Sequence, residues 1–192
     1  MNVYDFDKTI YDGDSTIDFW IYCLKRHPVS LWRVPGTVCS FVLFRLGLVS
    51  REKFKEYFYR FLKDIPDCAS EVKAFWNNNI KKIKPWYLAQ KKDTDVIVSA
   101  SPDFIISEAC ARLNIALIAS KVDVKTGALL SKNCRGNEKV IRFYEKFPEA
   151  VIENFYSDSK SDFPLAKLAN NAYLVKNNSV SEWKKDDNSS VK

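Results

Sequence analysis

The chain predicts an α/β fold: a parallel sheet with helices on both faces and a helical block inserted straight after the first strand. Three observations carry this expectation. Short apolar runs lead into small or acidic residues: NVYDF into the Asp5-Asp7 pair, and DVIVSAS and AVIENFYSDS into their own last residues. Beyond Asp93 such runs alternate with segments of helical spacing, the pattern of strand–helix–strand units. Between residues 15 and 92, by contrast, the pattern is almost entirely helical. In open α/β sheets ligands collect at the carboxyl ends of the strands. Asp5 with Asp7, Ser99 with Ser101, and Ser157 with Asp158 should therefore meet at one edge.

Taken in order, Asn2 to Phe6 reads as a short buried strand. Asp12-Gly13-Asp14 is a turn, and Asp14 or Ser15 can cap a helix over residues 15 to about 26, with Ile17, Trp20, Ile21 and Leu24 on one side. Pro28 breaks that helix. An apolar segment follows from about Leu31 to Leu48, with Pro35-Gly36 inside it. Ser50 then caps REKFKEYFYRFLK, where Phe54, Tyr57, Phe58 and Phe61 line one face. Pro66-Asp67 opens a helix through EVKAFWNNNIKKI, and Pro85 opens WYLAQKK. After Asp93 come the strand DVIVSAS, the helix PDFIISEACARL with Pro at its first position, the strand NIALIAS and a hairpin, VDVKTGALL. The helix GNEKVIRFYEKF, the strand AVIENFYSDS, the short helix DFPLAKLA and a final strand, NAYLVKN, complete the pattern. Residues 1–14 and 93–178 should form a core domain, 15–92 a helical domain, and 179–192 a polar, weakly ordered tail.

Bulk properties narrow the function. The 192 residues are 46% hydrophobic and 28% charged, as in a soluble globular protein. Five cysteines, Cys23, Cys39, Cys68, Cys110 and Cys134, form no Cys-x-x-Cys pair, and His27 is the single histidine, so a zinc site is not expected. Free thiols in a reducing compartment fit better, and the acidic residues at the N-terminus fit no signal peptide; a cytoplasmic protein is expected. His27, before Pro28, reads as a solvated loop residue. The net charge of +6 is uneven. Residues 15–84 hold 13 Lys/Arg against 6 Asp/Glu, an excess of 7. That segment should attract anions: phosphorylated substrates, nucleic acid or acidic lipid headgroups. The bland reading is a Lys-rich solvated surface.

Asp5 and Asp7 could be no more than an acidic loop. The sharper reading is phosphoryl transfer, which needs a nucleophile, an acid for the leaving oxygen, Mg2+ and donors for the phosphoryl oxygens. Mg2+ favours carboxylate oxygens held on rigid strand ends, and a carboxylate can attack phosphorus. A divalent cation would also offset the repulsion between gathered carboxylates.

Four motifs in order, DFDKT, VIVSAS, the Lys of GNEKV and YSDSKSD, resemble those of the haloacid dehalogenase superfamily, in its phosphoserine-phosphatase-like branch. They span Asp5 to Asp162. Each alone is weak, but together, each at an expected strand or helix end, they are a strong signal. The resemblance implies a Rossmann-like three-layer sandwich with an inserted helical cap, and a Mg2+-dependent phosphomonoester hydrolase working through an aspartyl-phosphate. It makes Asp5 the nucleophile and Asp7 the general acid and base. It gives Ser99, the backbone near Ala100 and Lys139 the phosphoryl oxygens. Asp5, the main-chain carbonyl of Asp7 and Asp158 would hold Mg2+, with Asp162 as an outer or water-mediated ligand.

Several assignments carry alternatives. Arg135 competes with Lys139 for the third motif; otherwise it is a surface cation. Asp-Lys-Thr also resembles the phosphorylation motif of cation-pumping ATPases, but the chain lacks their membrane spans. Ser101 either touches substrate or caps the helix begun by Pro102. Asp14 stands where phosphoserine phosphatases carry a Glu that recognises the substrate amine, or is simply an N-cap. That change, with SAS in place of the Gly-Gly after the motif serine, puts phosphoserine in doubt. VPGTVCSFVLFRLGLVS is too short for a bilayer span of about 20 residues and is expected to pack the cap core. Its sharper reading is an interfacial patch meeting lipid or a lipid phosphate; some members of the branch act on phosphatidylglycerophosphate, and this apolar cap is similar in character. Trp20, Trp32, Trp76 and Trp86 could stack on a base, but burial is the default and no nucleic-acid partner is expected. The partner expected first is a phosphorylated small molecule. Rival readings are a non-catalytic phosphate- or nucleic-acid-binding module and a phosphoacceptor signalling domain; an intact Asp7 counts against both.

Overall fold

The computed structural model describes residues 1–183. Its strands are β1 (Asn2–Tyr4), β2 (Val96–Pro102), β3 (Ala116–Ser120), β4 (Asn154–Ser157), β5 (Asn171–Lys176) and β6 (Ser179–Glu182). They form one sheet in the order β3-β2-β1-β4-β5-β6. The first five run parallel, and β6 returns antiparallel to β5. Parallel neighbours need covered faces, and the pleat supplies apolar residues to both. Tyr4, Ile97 and Tyr156 point into one buried cluster, Val3, Val96 and Phe155 into the other. On the first face Tyr4 stacks on Tyr156, and Tyr156 on Tyr173, each with ring centroids 4.8 Å apart.

The helices are α1 (Ser15–Arg26), α2 (Val34–Arg45), α3 (Arg51–Phe58), α4 (Cys68–Asn79), α5 (Pro85–Gln90), α6 (Asp103–Arg112), α7 (Asn137–Lys146) and α8 (Phe163–Ala166). Phe143 of α7 and Leu165 of α8 belong to the Val3 face, whereas α1, α4 and α6 bury residues on the Tyr4 face. The starts follow ordinary capping chemistry. Asp14 accepts from the N–H groups of Thr16 and Ile17, Ser50 from Lys53, and Asp67 from Ser70. Apolar packing is continuous from the inserted helices into the sheet layer: Phe19, Phe61 and Trp76 share a cluster with Ile97 and Ile105, and the Trp76 indole donates to the Ile105 carbonyl at 2.6 Å.

The structure corrects five expectations. In α1 the buried side is Ser15, Phe19 and Cys23, while Ile17 and Ile21 are exposed. Phe19 sits among Phe61, Phe75 and Phe104, so the neighbours select the face where the sequence offers two apolar sides. The run expected at 51–63 is α3 followed by a 3-10 segment, Tyr59–Asp64. Pro102 ends β2 and precedes α6 instead of opening it. Where a weakly ordered tail was expected from Ser179, β6 forms an edge strand, and Trp183 is buried beside Phe163 with centroids 5.9 Å apart. The remainder of that tail, 184–192, lies outside the described residues. A fifth departure concerns residues 28–48. They form a 3-10 segment, Pro28–Arg33, and α2, and they leave much of their apolar surface in solvent where core packing was expected.

Candidate active site

The carboxyl ends of β1, β2 and β4 face one cleft of about 330 Å³, which Asp5, Ser99 and Asp158 line together with Asp7, Lys139 and Asp162. Asp5 follows β1 directly and extends its ladder, its N–H donating to the Tyr156 carbonyl at 2.9 Å. Lys139 rises from the first turn of α7. Gly136 precedes that helix with φ of 57°, a left-handed conformation that a Cβ disfavours. The Lys139 ammonium is 1% exposed and donates to Asp5 Oδ1 at 2.8 Å and Asp162 Oδ2 at 2.7 Å. Ser157 Oγ donates to the same Asp162 oxygen at 2.8 Å. Burial disfavours the Lys139 charge, yet the two carboxylates outweigh burial and hold its pKa above the ordinary value. Arg135, its competitor in the sequence, lines the cleft wall and makes no ion pair among the described residues.

Asp7 points toward the start of α1. Its Oδ1 accepts from the Ser15 N–H at 2.7 Å, and Ser101 Oγ donates to its Oδ2. Ser101 is thus a partner of Asp7, and α6 has no side-chain cap, contrary to the capping role expected of it. Thr16 Oγ1 adds a donor to Ser101 Oγ at 3.3 Å. Burial lifts both strand-end carboxyls. Asp5 is pushed up to about 7, with Asp162 and Asp158 adding to burial and Lys139 opposing it; Asp7 is pushed up to about 6, with Asp14 adding to burial. A carboxyl near 6 can exchange protons at neutral pH.

Asp158 sits where the chain turns after β4, its N–H donating to Thr9 Oγ1 at 2.9 Å. Its pKa is raised by burial, with neighbouring Asp162 adding to the effect. Asp14 lines the cleft while one of its oxygens caps α1. Crowded carboxylates of this kind suit a hard divalent cation with oxygen ligands. Asp162 is already held by Lys139 and Ser157, whereas Asp5 Oδ2 accepts no side-chain hydrogen bond among the described residues. No three Asp, Glu, His or Cys side chains among those residues stand close enough to enclose a metal unaided. A cation here would draw on Asp5 and Asp158, with main-chain oxygen and water completing its shell.

The inserted helices supply one wall, and here the sequence reading missed residues. Lys55 of α3 reaches into the sheet layer, donating to the Ala100 carbonyl at 2.8 Å and to Asn133 Oδ1 at 2.7 Å. Ser120 Oγ lies 3.0 Å from each of those acceptors and has one proton to donate to either. Burial, with Arg51 and Arg135 nearby, pushes the Lys55 ammonium down to about 8. Ile17, Phe54, Phe58 and Tyr59 provide the apolar part of the wall. The only sequence signal was the i, i+4 spacing of Arg51 and Lys55 beside an aromatic stripe, which equally describes a solvated helix face.

Residues 3–167 match the family model of the haloacid dehalogenase-like hydrolases. The chain belongs to that family. No curated protein sequence matches it. Solved structures with a similar fold include a protein of unknown function from Bordetella pertussis Tohama I (TM-score 0.69, 19% identity, 87% of this chain and 85% of that one). A phosphoserine phosphohydrolase-like protein from Francisella tularensis subsp. tularensis SCHU S4 is also similar (TM-score 0.56, 16% identity, 90% and 86%). So is a substrate-bound phosphoserine phosphatase (TM-score 0.55, 17% identity, 88% and 82%). At these identities the likeness establishes the shared fold.

Proposed function

We propose that this hydrolase is a Mg2+-dependent phosphatase that cleaves a phosphomonoester through an aspartyl-phosphate on Asp5. The observation that supports this most is Lys139 held between Asp5 and Asp162 at the mouth of three strand ends. An oxygen of Asp5 attacks phosphorus in line with the ester oxygen, and the P–O bond to the leaving group breaks. Asp7 gives its proton to that oxygen as it departs. Ser99 and Lys139 donate to the phosphoryl oxygens and offset the developing charge. Asp7, now a carboxylate, takes a proton from water, which attacks the acyl phosphate, releasing phosphate and restoring Asp5. Mg2+, held by Asp5, the Asp7 main-chain carbonyl and Asp158, would neutralise charge on the phosphoryl group when bound.

Residues 15–92 act in this reading as a cap over residues 1–14 and 93–178, and their cleft wall selects the leaving group. Arg51 and Arg135 favour an anionic substrate, and Ile17, Phe54 and Phe58 an apolar portion. The substrate is a phosphorylated small molecule, with lipid phosphates a second class. Five unpaired cysteines suit work in the cytoplasm; among the described residues no helix is long and apolar enough to cross a membrane. Turnover of p-nitrophenyl phosphate with Mg2+, lost in Asp5→Asn, is the expected result. No turnover, or turnover that survives in Asp5→Asn, would defeat the reading.

A further inference from the structure

The cap carries a surface that the phosphatase reading does not use. Helix α2 is inside out. Val38, Phe41 and Val42, with Arg45 one turn on, lie at i, i+3, i+4 and i+7 on its exposed side, while Thr37 is buried. The chain flanking the helix is exposed and apolar as well, at Val29, Leu31 and Trp32 before it and Leu46 and Leu48 after it. Trp32, Leu46 and Leu48 are 65%, 66% and 68% exposed. Scattered exposed apolar residues are normal, but a contiguous run of this kind marks an interaction site.

Charge selects the partner. Between Asp18 and Glu52 lie 33 residues with no carboxylate and five cations, Lys25, Arg26, Arg33, Arg45 and Arg51. Arg26 is paired with Glu71 and Arg33 with Asp64; Lys25, Arg45 and Arg51 have no acidic partner among the described residues. An exposed indole beside aliphatic side chains, edged by free cations, matches the boundary between the headgroups and acyl chains of an anionic bilayer. The face also leads to the cleft. Phe54, which lines the cleft, packs on Phe41 and Phe44 with centroids 5.6 and 5.4 Å apart.

We infer that the face formed by residues 29–48 docks the protein peripherally on an anionic membrane surface. The apolar side chains enter the headgroup–acyl boundary, and Lys25 and Arg45 meet the lipid phosphates. The inference is independent of the phosphatase reading, because docking is measured without turnover.

Co-sedimentation with vesicles of phosphatidylcholine containing phosphatidylglycerol tests it. The wild type should pellet with these vesicles, less so at high salt, and bind pure phosphatidylcholine vesicles about 10-fold more weakly or worse. Phe41→Asp with Leu46→Asp should weaken binding about 10-fold or more, and Arg45→Glu should weaken it several-fold. Circular dichroism melting checks that the variants are folded. As a second measurement on the intact protein, brominated lipid should quench part of the tryptophan fluorescence, and Trp32→Phe should remove that part. The inference is overturned if the wild type ignores anionic vesicles or if the folded variants bind them as well as the wild type. It is equally overturned if light scattering shows a dimer that these substitutions split while vesicles stay unbound, since a second copy of the chain would then cover the face.

Discussion

The Lys139 ammonium lies 2.8 Å from Asp5 Oδ1, although 134 positions separate the two residues in the chain. This contact ties the first turn of α7 to the end of β1, and it is made where almost no water reaches. Removing a cation from such a site leaves buried carboxylates uncompensated, at a cost of about 3–5 kcal/mol. Lys139→Met should therefore lower the melting temperature by about 10 °C for a chain of this size. A melt close to that of the wild type would mean that Asp5 and Asp162 do not depend on this cation.

Asp5→Asn should have the opposite balance. Burial and the neighbouring carboxylates outweigh Lys139 and work against charge at this position, and Asp162 still pairs with Lys139, so an amide of the same shape should leave the melting temperature unchanged or raised. Turnover should fall about 10³-fold or more, because the amide cannot attack phosphorus. Asp7→Asn should separate the two halves of the reaction. p-Nitrophenolate leaves without a proton donor, so phosphorylation of Asp5 continues, but water attack lacks its base. A burst of p-nitrophenolate stoichiometric with enzyme, then a stall, is the expected time course. Steady turnover in Asp7→Asn would remove Asp7 from the acid–base role.

Chelation should abolish turnover, and added Mg2+ should restore it. Asp158→Asn removes a charged ligand of the proposed cation and leaves Asp5 and Asp7 in place. Its Mg2+ requirement should rise about 10-fold or more, while turnover at saturating Mg2+ should change less. An unaltered Mg2+ titration would exclude Asp158 as a ligand.

Tyr87 offers a test outside the cleft. Its hydroxyl is buried and has no hydrogen-bond partner among the described residues, although the ring packs edge-on against Tyr4 with centroids 5.0 Å apart. A buried donor without a partner keeps its desolvation cost and returns nothing. Tyr87→Phe should be neutral or stabilising by about 1 kcal/mol, read as an unchanged or raised midpoint in urea. A destabilised variant would show that the hydroxyl has a partner after all.

The parts of this molecule that were legible in the sequence are those governed by neighbours in the chain. Short apolar runs closed by small or acidic residues marked the strands, and Asp14, Ser50 and Asp67 marked helix starts because capping is a contact with the next two or three residues. Asp5, Ser99 and Asp158 could be placed at one edge because parallel strands share a direction. What depends on partners far away was not legible. Whether α1 buries Phe19 or Ile17 is decided by α4 and α6. The destination of Lys55 is set by Ala100 and Asn133, 45 and 78 positions on. The short polar strand β6 is held by pairing with β5 and carries no apolar period of its own.

Lys55 gives a prediction in pH. Its ammonium is buried and pushed down to about 8, while a lysine in the unfolded chain titrates near 10.4. Between these values the unfolded state binds more protons than the folded state, so stability due to this group rises with pH. Below about 8 both states are protonated, and the whole cost of burying the charge is present. That cost is relieved as pH rises from about 8 to about 10.4, by at most about 3 kcal/mol. Other groups titrate in the same window, so the quantity to measure is the difference between the wild type and Lys55→Met. The variant keeps Ser120 Oγ as a donor beside the Ala100 carbonyl and Asn133 Oδ1. The wild type should gain on the variant across that window in urea melts. A difference that stays flat, or that falls as pH rises, would mean that the Lys55 charge is not penalised by burial.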